Sequence, residues 1–365
     1  MLRVLHVSDN SLPDARVEKM AYLSKKRDWE TFFAGPGFDS FSLGESVFDG
    51  LFFMPWNRYV RLGFPPYFQW VKRKLKKIIN MVKPDVIHAH DVFSAKMVCD
   101  LGYPFVFDDH EFASLEKKSD VEWERNDLSD RTVGRYEVWR WSRWERELSL
   151  RAPVITVSHD IAEFYAKLGA KVFTVPNYPS LFELSKVHLS KEKNESFTAV
   201  YLGNDISASH SPYRDVKGII NVFEELGFRL VVIGDTKLSS KGMIVSKDYI
   251  PHLRLYDVMS QYHVGLLPWK KHWFHKYANP NKPYMYAHSG MVVVVTSSLR
   301  NVVRAFEGRA RTIEDYSDLK EILLELSQGM DAVLKEGKDN REYALNNLVF
   351  ECYEREVMEA YKNAT

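Results

Sequence analysis

The chain has 365 residues, of which 45% are hydrophobic and 27% are charged, with a formal net charge of +1. This length suits two domains that each bury a core, and the composition excludes disordered and fibrous proteins. No run of 18 apolar residues is present, and Asp9 comes too early for the apolar core of a signal peptide. The two cysteines, Cys99 and Cys352, match no metal or redox spacing, so we expect a reduced, cytoplasmic compartment.

Short apolar segments alternate with amphipathic helical patterns along the chain. In the first half the predicted strands are Leu2–Val7, Thr31–Ala34, Leu51–Met54, Val86–His90, Phe105–Phe107, Val154–Val157 and Val172–Val175, and a helix is predicted over Ala15–Lys26. In the second half the predicted strands are Ala199–Leu202, Leu230–Ile233, Val264–Leu267 and Met291–Val295. Because these runs are continuously apolar, they indicate strands of a parallel sheet that is covered on both faces.

A Pro-rich motif at 176–180 and a polar stretch to Ser196 separate the two sets of strands, and we interpret them as a linker. The sequence therefore predicts an α/β protein with two doubly wound, Rossmann-like domains that face each other across a cleft. We place the first domain at 1–178 and the second at 179–339. The last helical pattern, 340–365, is a candidate to pack back on the first domain.

Polar side chains follow two predicted strands of the first domain, where open parallel sheets bind ligands. His88 and His90 close one strand, and Asp-Asp-His-Glu at 108–111 closes another. Two histidines beside carboxylates suggest a metal site, but the fixed spacing of zinc sites is absent, and we expect no metal. We interpret His88 as a structural histidine and His110 as a residue of the site.

The second domain offers two anion-binding candidates at strand ends. Gly203 and Asn204 end one strand, and Lys217 follows at the start of a helix, where backbone N–H groups and a lysine suit a diphosphate. The other candidate is the segment 277–282, in which Asn279 suits an N-cap and the proline after it the first helical position. A basic, aromatic loop from Lys270 to Lys276 precedes this segment.

The segment from Trp56 to Lys83 carries eight Lys or Arg residues and no Asp or Glu. Its aromatic and basic residues suit an anionic membrane surface. Two alternatives stay open: the aromatics pack the helix on its own sheet while the lysines are solvated, or the charges hold an anionic acceptor.

Nearly the whole chain resembles a GT-B glycosyltransferase of the glycosyltransferase family 4 type. Each matching motif is short, but they occur in the order and at the spacing of the family. They are PDVIHAHD at 84–91, DDHE at 108–111, ITVS at 155–158 with VPN at 175–177, YLGN at 201–204, Lys217 with Gly218, VVIG at 231–234, GLLP at 265–268 and NPNKPYMY at 279–286.

The resemblance implies that a nucleoside-diphosphate sugar with UDP or GDP binds the second domain and that a glycan, lipid-linked or other acceptor binds the first. It implies that His110 faces the donor sugar and that Lys217 holds the diphosphate. Asn204 stands where many members have arginine, which Arg214 could replace. The remaining donor-side residues expected from this likeness and from the helix start at 279–282 are Gly203, Tyr277, Asn279, Asn281, Lys282, Met285 and Lys270.

The chain departs from the family at two glutamates that border the donor, since Tyr277 and Met285 stand in their places. A thioether accepts hydrogen bonds from ribose only feebly. The family's retaining members transfer a hexose while the leaving diphosphate takes the acceptor proton, and the protein supplies positioning and charge. An inverting reaction with Asp109 or Glu111 as base stays open.

Three other functions compete with sugar transfer as interpretations of this sequence. A dehydrogenase is disfavoured because no Gly-x-Gly-x-x-Gly follows the first strand. A nucleotide-sugar epimerase and a non-catalytic nucleotide-sugar-binding protein stay open as alternatives. We expect a cytoplasmic enzyme, peripheral on the inner membrane face if the basic segment binds lipid, with no cofactor, no metal and no nucleic acid partner.

Overall fold

The computed structural model describes residues 1–57, 60, 63–123, 128–190, 192–203, 212–214, 216–234 and 238–364. The chain divides into two compact units. One comprises Met1–Pro176 together with the segment from Tyr353, and the other comprises Asn177–Cys352. The predicted boundary, between 178 and 179, lies two residues beyond the observed one.

The first domain is a seven-stranded parallel sheet with helices on its faces. Its strands are β1 Arg3–Val7, β2 Glu30–Gly35, β3 Gly50–Phe53, β4 Val86–His90, β5 Val106–Asp109, β6 Val154–Thr156 and β7 Val172–Thr174, in the spatial order β3-β2-β1-β4-β5-β6-β7. Its helices are α1 Ala15–Lys25, α2 Pro65–Val82, α3 Asp91–Asp100, α4 Ala113–Trp123, α5 Leu128–Ser149 and α6 His159–Lys167. The strand order reverses at β1 and β4, which is where such sheets bind ligands.

The second domain is a six-stranded parallel sheet. Its strands are β8 Thr198–Leu202, β9 Arg229–Ile233, β10 Ile244–Lys247, β11 Val264–Leu267, β12 Val292–Thr296 and β13 Arg311–Ile313, in the order β10-β9-β8-β11-β12-β13. Its helices are α7 Leu181–Ser185, α8 Gly218–Leu226, α9 His252–Met259, α10 Lys282–His288, α11 Arg300–Phe306, α12 Tyr316–Ser327 and α13 Met330–Asn347, with 3₁₀ turns at Pro212–Arg214, Trp273–Lys276 and Phe350–Tyr353. The predicted α/β fold with two doubly wound sheets is confirmed.

One tight contact fixes the carboxyl ends of the two central strands of the second domain. The Leu202 N–H donates to the Tyr286 hydroxyl (3.0 Å), which donates to the Leu266 carbonyl (3.1 Å). The Tyr286 ring lies so close to Gly265 that a Cβ atom there would meet it at 2.3 Å. Only glycine at 265 lets α10 approach β11 in this way.

The prediction for the C-terminal helix needs correction. Residues 340–347 belong to α13 of the second domain, where Asn340 is buried and its Nδ2 donates to the Met291 carbonyl at 3.1 Å. Gly337 lies against Gly290, with room for no Cβ atom. The helix that packs on the first domain is α14, Glu354–Ala364. The amphipathic pattern continues through both helices, so periodicity alone does not show the break after Asn347.

Candidate active site

A buried ion pair anchors the carboxyl end of β5 in the first domain. Asp108 is fully buried, and Arg16 of α1 holds it with Nη2–Oδ1 at 2.7 Å and Nε–Oδ2 at 3.0 Å. Burial alone would raise the pKa of Asp108, but Arg16 and hydrogen bonds from His88 and His90 hold it well below its usual range. Asp108 is therefore a permanent anion that organises the histidines around it.

Three histidines form a layer on this face of the sheet. The His6 Nδ1 and His90 Nε2 atoms are 3.1 Å apart, and the His88 and His90 rings stack with centroids 4.3 Å apart. His88 Nδ1 is 2.9 Å from the Tyr361 hydroxyl and its Nε2 is 3.3 Å from Asp108. Burial lowers the pKa of all three rings, that of His90 to about 4, so they are neutral at physiological pH.

The sequence places two histidines beside carboxylates, a combination that can bind a metal ion, although we expect none there. Among the described residues, nitrogens of His6, His88 and His90 lie within 4.8 Å of one another, as do ligand atoms of His90, Asp108 and His110. Both ring nitrogens of His88 already have hydrogen-bond partners, and its ring stacks on its neighbours. The geometry favours a structural network.

Asp109 points to the opposite face of the sheet from Asp108. It is fully buried, accepts a hydrogen bond from the Tyr165 hydroxyl, and accepts another from the Phe112 N–H at 3.2 Å. Burial raises the pKa of Asp109 to about 7. These contacts give Asp109 a packing role and argue against the predicted role as a base that meets an acceptor.

His110 and Glu111 occupy the loop after β5, beside Asp91. His110 Nδ1 lies 3.3 Å from Asp91 Oδ1. Asp91, directly after β4, has φ +64°, a strained conformation for a residue other than glycine and one that clusters at functional sites. Burial and the carboxylates of Glu111 and Asp9 raise the pKa of Asp91 well above its usual range. The structure thus joins two of the predicted residues, His110 and Glu111, to Asp91.

In the second domain, β8 leads directly to the predicted diphosphate loop. Gly203 is buried at the end of β8, and a Cβ atom there would meet the Tyr201 ring at 2.5 Å. Asn204 lies outside the described residues. Lys217 is the exposed N-cap residue of α8, whose first turn carries no acidic residue. The terminus of α8 therefore offers backbone N–H groups and a lysine to an anion.

Arg214 and Lys282 form a second basic group in this domain. Arg214 is exposed, and its guanidinium lies 5.3 Å from the centroid of the Trp269 ring. The Lys282 ammonium lies 5.9 Å from the centroid of the Tyr201 ring, next to the end of β8. Burial, with the positive charge of Arg214, lowers the pKa of Lys282 to about 8. The protein holds two cations close together there, and an anion would relieve their repulsion.

The predicted start of the helix over 279–282 needs correction. The helix begins at Lys282, and its N-cap Asn281 makes no side-chain capping hydrogen bond. Asn279 is buried, and its Oδ1 accepts a hydrogen bond from the Tyr284 hydroxyl instead. A proline sits in the first turn, but it is Pro283. A proline at either position fits the sequence pattern, and the buried tyrosine contact decides between them.

The two positions that lack the family's glutamates differ in exposure. Met285 is 3% exposed, inside α10, so its side chain belongs mainly to the core. Tyr277 is half-buried, with the Lys276 ammonium 4.5 Å from its ring centroid. Lys270 is exposed, whereas Lys271 forms an ion pair with Glu314. Tyr277 and Lys270 are thus more accessible to a ligand than Met285 is.

The sequence did not single out several residues of the first-domain site, namely His6, Asp9, Arg16 and Trp141. Asp91 was noted only within the motif at 84–91, and Trp56 only as the start of the basic segment. Arg16 lies in a helix whose sequence is largely polar, so no pattern in the sequence indicates that its side chain is buried. Asp9 and Asp91 follow strands directly, and that position was the available signal.

Comparisons with known proteins match this arrangement of strands. The family model of Glycosyltransferase Family 4 matches residues 21–178. The match covers most of the first domain, and the fold of the whole chain is the GT-B fold of glycosyltransferases. Among solved structures, the chain is similar to the sucrose-phosphate synthase of Thermosynechococcus elongatus, with a TM-score of 0.71, 12% identity, and 99% and 98% of the two chains covered.

Two further GT-B structures resemble this chain over nearly their whole length. Anabaena HepE, solved in complex with UDP, matches with a TM-score of 0.64 and 12% identity, covering 99% of this chain and 100% of that chain. An α-glucosyltransferase in complex with UDP-glucose and DNA matches with a TM-score of 0.61 and 11% identity, covering 99% of both. No curated protein sequence matches the chain.

Proposed function

We propose that the chain transfers a hexose from a UDP-sugar to a hydroxyl group of an acceptor, with retention of configuration. The observations that carry the proposal are the cations Arg214 and Lys282, close together beside the end of β8, and Lys217 at the N-terminus of α8. HepE, whose fold is similar, was solved with UDP, and the α-glucosyltransferase with UDP-glucose. These neighbours support UDP ahead of GDP.

The three cations match the needs of a diphosphate leaving group. Lys217 and the N-terminus of α8 present a charge and backbone N–H groups, which bind phosphate oxygens. Lys282 has lost part of its hydration, so a bound phosphate would restore favourable interactions to its ammonium. Positive charge held there also stabilises the diphosphate as it leaves.

The proposed step forms one bond and breaks another. The acceptor oxygen bonds to the anomeric carbon of the sugar, and the bond from that carbon to the diphosphate oxygen breaks. The electron pair of the broken bond stays with the diphosphate, which also takes the proton of the acceptor hydroxyl. In the first domain, Glu111 borders the acceptor, and His110, which we expect to face the donor sugar, lies with its Nδ1 3.3 Å from Asp91 Oδ1.

One observation favours a second candidate, a nucleotide-sugar-binding protein without transferase activity. Tyr277 and Met285 replace the two glutamates of the family, and Met285 is buried. Contacts to the ribose and the sugar must then come from other groups.

The two candidates separate in a donor screen. UDP-hexoses and GDP-hexoses are incubated with the full chain, and release of free nucleoside diphosphate is followed while calorimetry measures binding. Transfer or slow hydrolysis of a UDP-hexose supports the enzyme, and binding without turnover supports the second candidate. Product NMR then reports the anomeric configuration, and inversion would contradict the proposed stereochemistry.

A matched pair of lysine variants tests the diphosphate site. Lys217→Ala should weaken UDP binding by about 1.5–3 kcal/mol, the range for a hydrogen bond to a charged group. The control is Lys320→Ala, which removes a charge that pairs with Glu225 in α8. Equal UDP affinity of the two variants in calorimetry would refute the role of Lys217.

We further propose that α2 holds the first domain on an anionic membrane surface. The inner face of α2 is buried in the domain, through Phe68, Val71, Leu75, Ile78, Ile79 and Val82. The outer face exposes Tyr67 and Trp70 and, further along the helix, Arg73, Lys76 and Lys77. Exposed aromatics beside cations match a headgroup layer. Arg58, Tyr59, Arg61 and Leu62 of this predicted surface lie outside the described residues.

Vesicle sedimentation tests the membrane proposal. Mixed phosphatidylcholine and phosphatidylglycerol vesicles should bind the chain, and salt should weaken binding. The double variant Arg73→Gln with Lys77→Gln should weaken vesicle binding by about 2 kcal/mol, since each cation contributes roughly 1 kcal/mol near an anionic surface. Lys118→Gln with Lys167→Gln, which removes two other exposed charges, is the control. Equal recovery of the chain in the supernatant with and without vesicles would end this proposal.

Among the described residues, no helix is long and apolar enough to span a bilayer.

A further inference from the structure

Two neighbouring cavities open at the carboxyl edge of the first-domain sheet. The smaller, about 190 Å³, is lined by Asp9, Asn10, Asp91, Phe93, Glu111, Ala113, Glu116, Lys117, Asp120 and Trp141. The larger, about 390 Å³, is lined by Asp9, Pro36, Trp56, Asn57, Lys117, Glu137 and Trp141. Because Asp9, Lys117 and Trp141 line both, the two cavities are adjacent. We call the pair the acidic pocket.

The charge of this lining is strongly one-sided. Six carboxyl groups surround the acidic pocket, and the one lysine that lines it, Lys117, forms an ion pair with Glu137 at 3.4 Å. Mutual repulsion is already evident at Asp91, whose pKa burial and the neighbouring acids Glu111 and Asp9 raise. A ligand with a phosphate, sulfate or carboxylate group would add to this repulsion.

Two indole rings add a second, independent feature. Trp56 and Trp141 line the acidic pocket, and each ring N–H is shielded from solvent with no hydrogen-bond partner among the described residues. The edge-to-face contact of Trp141 with Phe93, 5.1 Å between centroids, fixes the ring. A buried donor without a partner is costly, so a movement of the ring that brings its N–H to a ligand hydroxyl would be favourable. Flat indole faces also suit the apolar face of a sugar ring.

We propose that the acidic pocket binds the acceptor, and that this acceptor is a sugar residue free of anionic groups, either neutral or amine-bearing. Carboxylates accept hydrogen bonds from sugar hydroxyls and from an ammonium group, and the indole N–H groups donate to sugar oxygens. The proposal rests on the proposed function, because it names the substrate of the first domain in sugar transfer. It assigns Trp56 and Trp141 as binding residues.

The test measures binding of free sugars to the full chain in the absence of a donor. Methyl glucoside, methyl glucosaminide and methyl glucuronide are titrated, and saturation-transfer NMR follows each ligand. The first two should bind and the glucuronide should not. Trp141→Ala should weaken binding of the glucoside at least tenfold, whereas Trp141→Phe, which keeps a ring but loses the N–H, should have a smaller effect.

The matched control is Trp139→Ala, on the same helix but with a side chain that is 59% exposed and outside the pocket lining. Glu116→Gln with Asp120→Asn should improve binding of the glucuronide by lowering the negative charge. Equal binding of glucoside and glucuronide, equal effects of the Trp141→Ala and Trp139→Ala variants, or no binding of any sugar would overturn the proposal. UDP binding, measured on the same samples, reports on the second domain alone, so loss of one activity is distinguishable from loss of the other.

Discussion

Two features of its surroundings, burial and the nearby positive charge of Arg214, disfavour the charged form of Lys282. Burial and the neighbouring Arg214 lower the pKa of Lys282 to about 8, so its ammonium begins to lose its proton just above physiological pH. A bound diphosphate would hold the proton in place. The strength of UDP binding is therefore coupled to pH through this one side chain.

We predict that UDP binding weakens as the pH rises above 7. The charged lysine binds and the neutral one does not, so affinity should be steady below pH 7 and fall by up to roughly tenfold between pH 7 and pH 9. In a Lys282→Met variant, affinity should be lower and nearly flat over this range. Calorimetry at pH 7, 8 and 9 measures both. A slope that persists in the variant would assign the titration to another group.

His110 and His88 should behave differently when they are shortened. His110→Ala should lower turnover at least tenfold with little change in melting temperature, because we expect the side chain to face the donor sugar and because it lies beside Asp91 of the acidic pocket. His88→Ala should lower the melting temperature, because it removes a buried partner of Asp108 and Tyr361. Activity assays and thermal unfolding of both variants measure these effects. If His110→Ala kept its turnover but lost thermal stability, His110 would be a structural residue.

At the scale of elements, the central strands were predictable because they are apolar over their whole length. Val86–His90 and Val264–Leu267 have the predicted bounds. The edge strands β10 and β13 were missed. Their sequences, IVSK and RTI, are short and carry charge, since an edge strand needs little apolar surface.

The site was only partly predictable for a related reason. A strand end can be located in the sequence, so His110 and Glu111 were named. The partners that decide what each side chain does come from distant segments, as Arg16 does for Asp108 and Tyr165 for Asp109. Neither pairing leaves a local pattern, and only the folded sheet shows that Asp108 and Asp109 face opposite ways.

The histidine layer on β1 and β4 should make the first domain sensitive to acid. The pKa of His90 is about 4 in the folded state and near 6.5 when unfolded, so His90 contributes stability above pH 6.5 that is lost as the pH falls toward 4. The 2.5-unit difference corresponds to roughly 3 kcal/mol.

His90→Asn isolates this contribution. The difference in free energy of unfolding between the natural chain and the variant should shrink by up to roughly 3 kcal/mol between pH 6.5 and pH 4. Denaturant unfolding at each pH, followed by near-UV circular dichroism, measures it. A constant difference over this range would mean that His90 does not change protonation on unfolding.

At the scale of the whole molecule, the first domain is built from two separated parts of the chain. Residues 1–176 form the sheet and most helices, and the segment from Tyr353 supplies α14. Tyr361 of α14 is buried, and its hydroxyl lies 2.9 Å from His88 Nδ1. The histidine layer thus depends on a residue from far along the sequence.

Removing one hydroxyl group measures this dependence. Tyr361→Phe should lower the free energy of unfolding by about 1–3 kcal/mol, because it leaves a buried imidazole nitrogen without its partner. Tyr103→Phe is the control, since the Tyr103 hydroxyl bonds to Asn80 at the surface. Its effect should stay below about 0.5 kcal/mol. Equal losses in the two variants would contradict the role given to Tyr361.

The split first domain also has a consequence for the order of events on the ribosome. Domains generally fold as they emerge, beginning with the N-terminal one. Here the segment that brings Tyr361 is synthesised only after all of Asn177–Cys352, so the domain that is begun first is completed second. Until α14 emerges, the nascent first domain exposes the surface that α14 later covers.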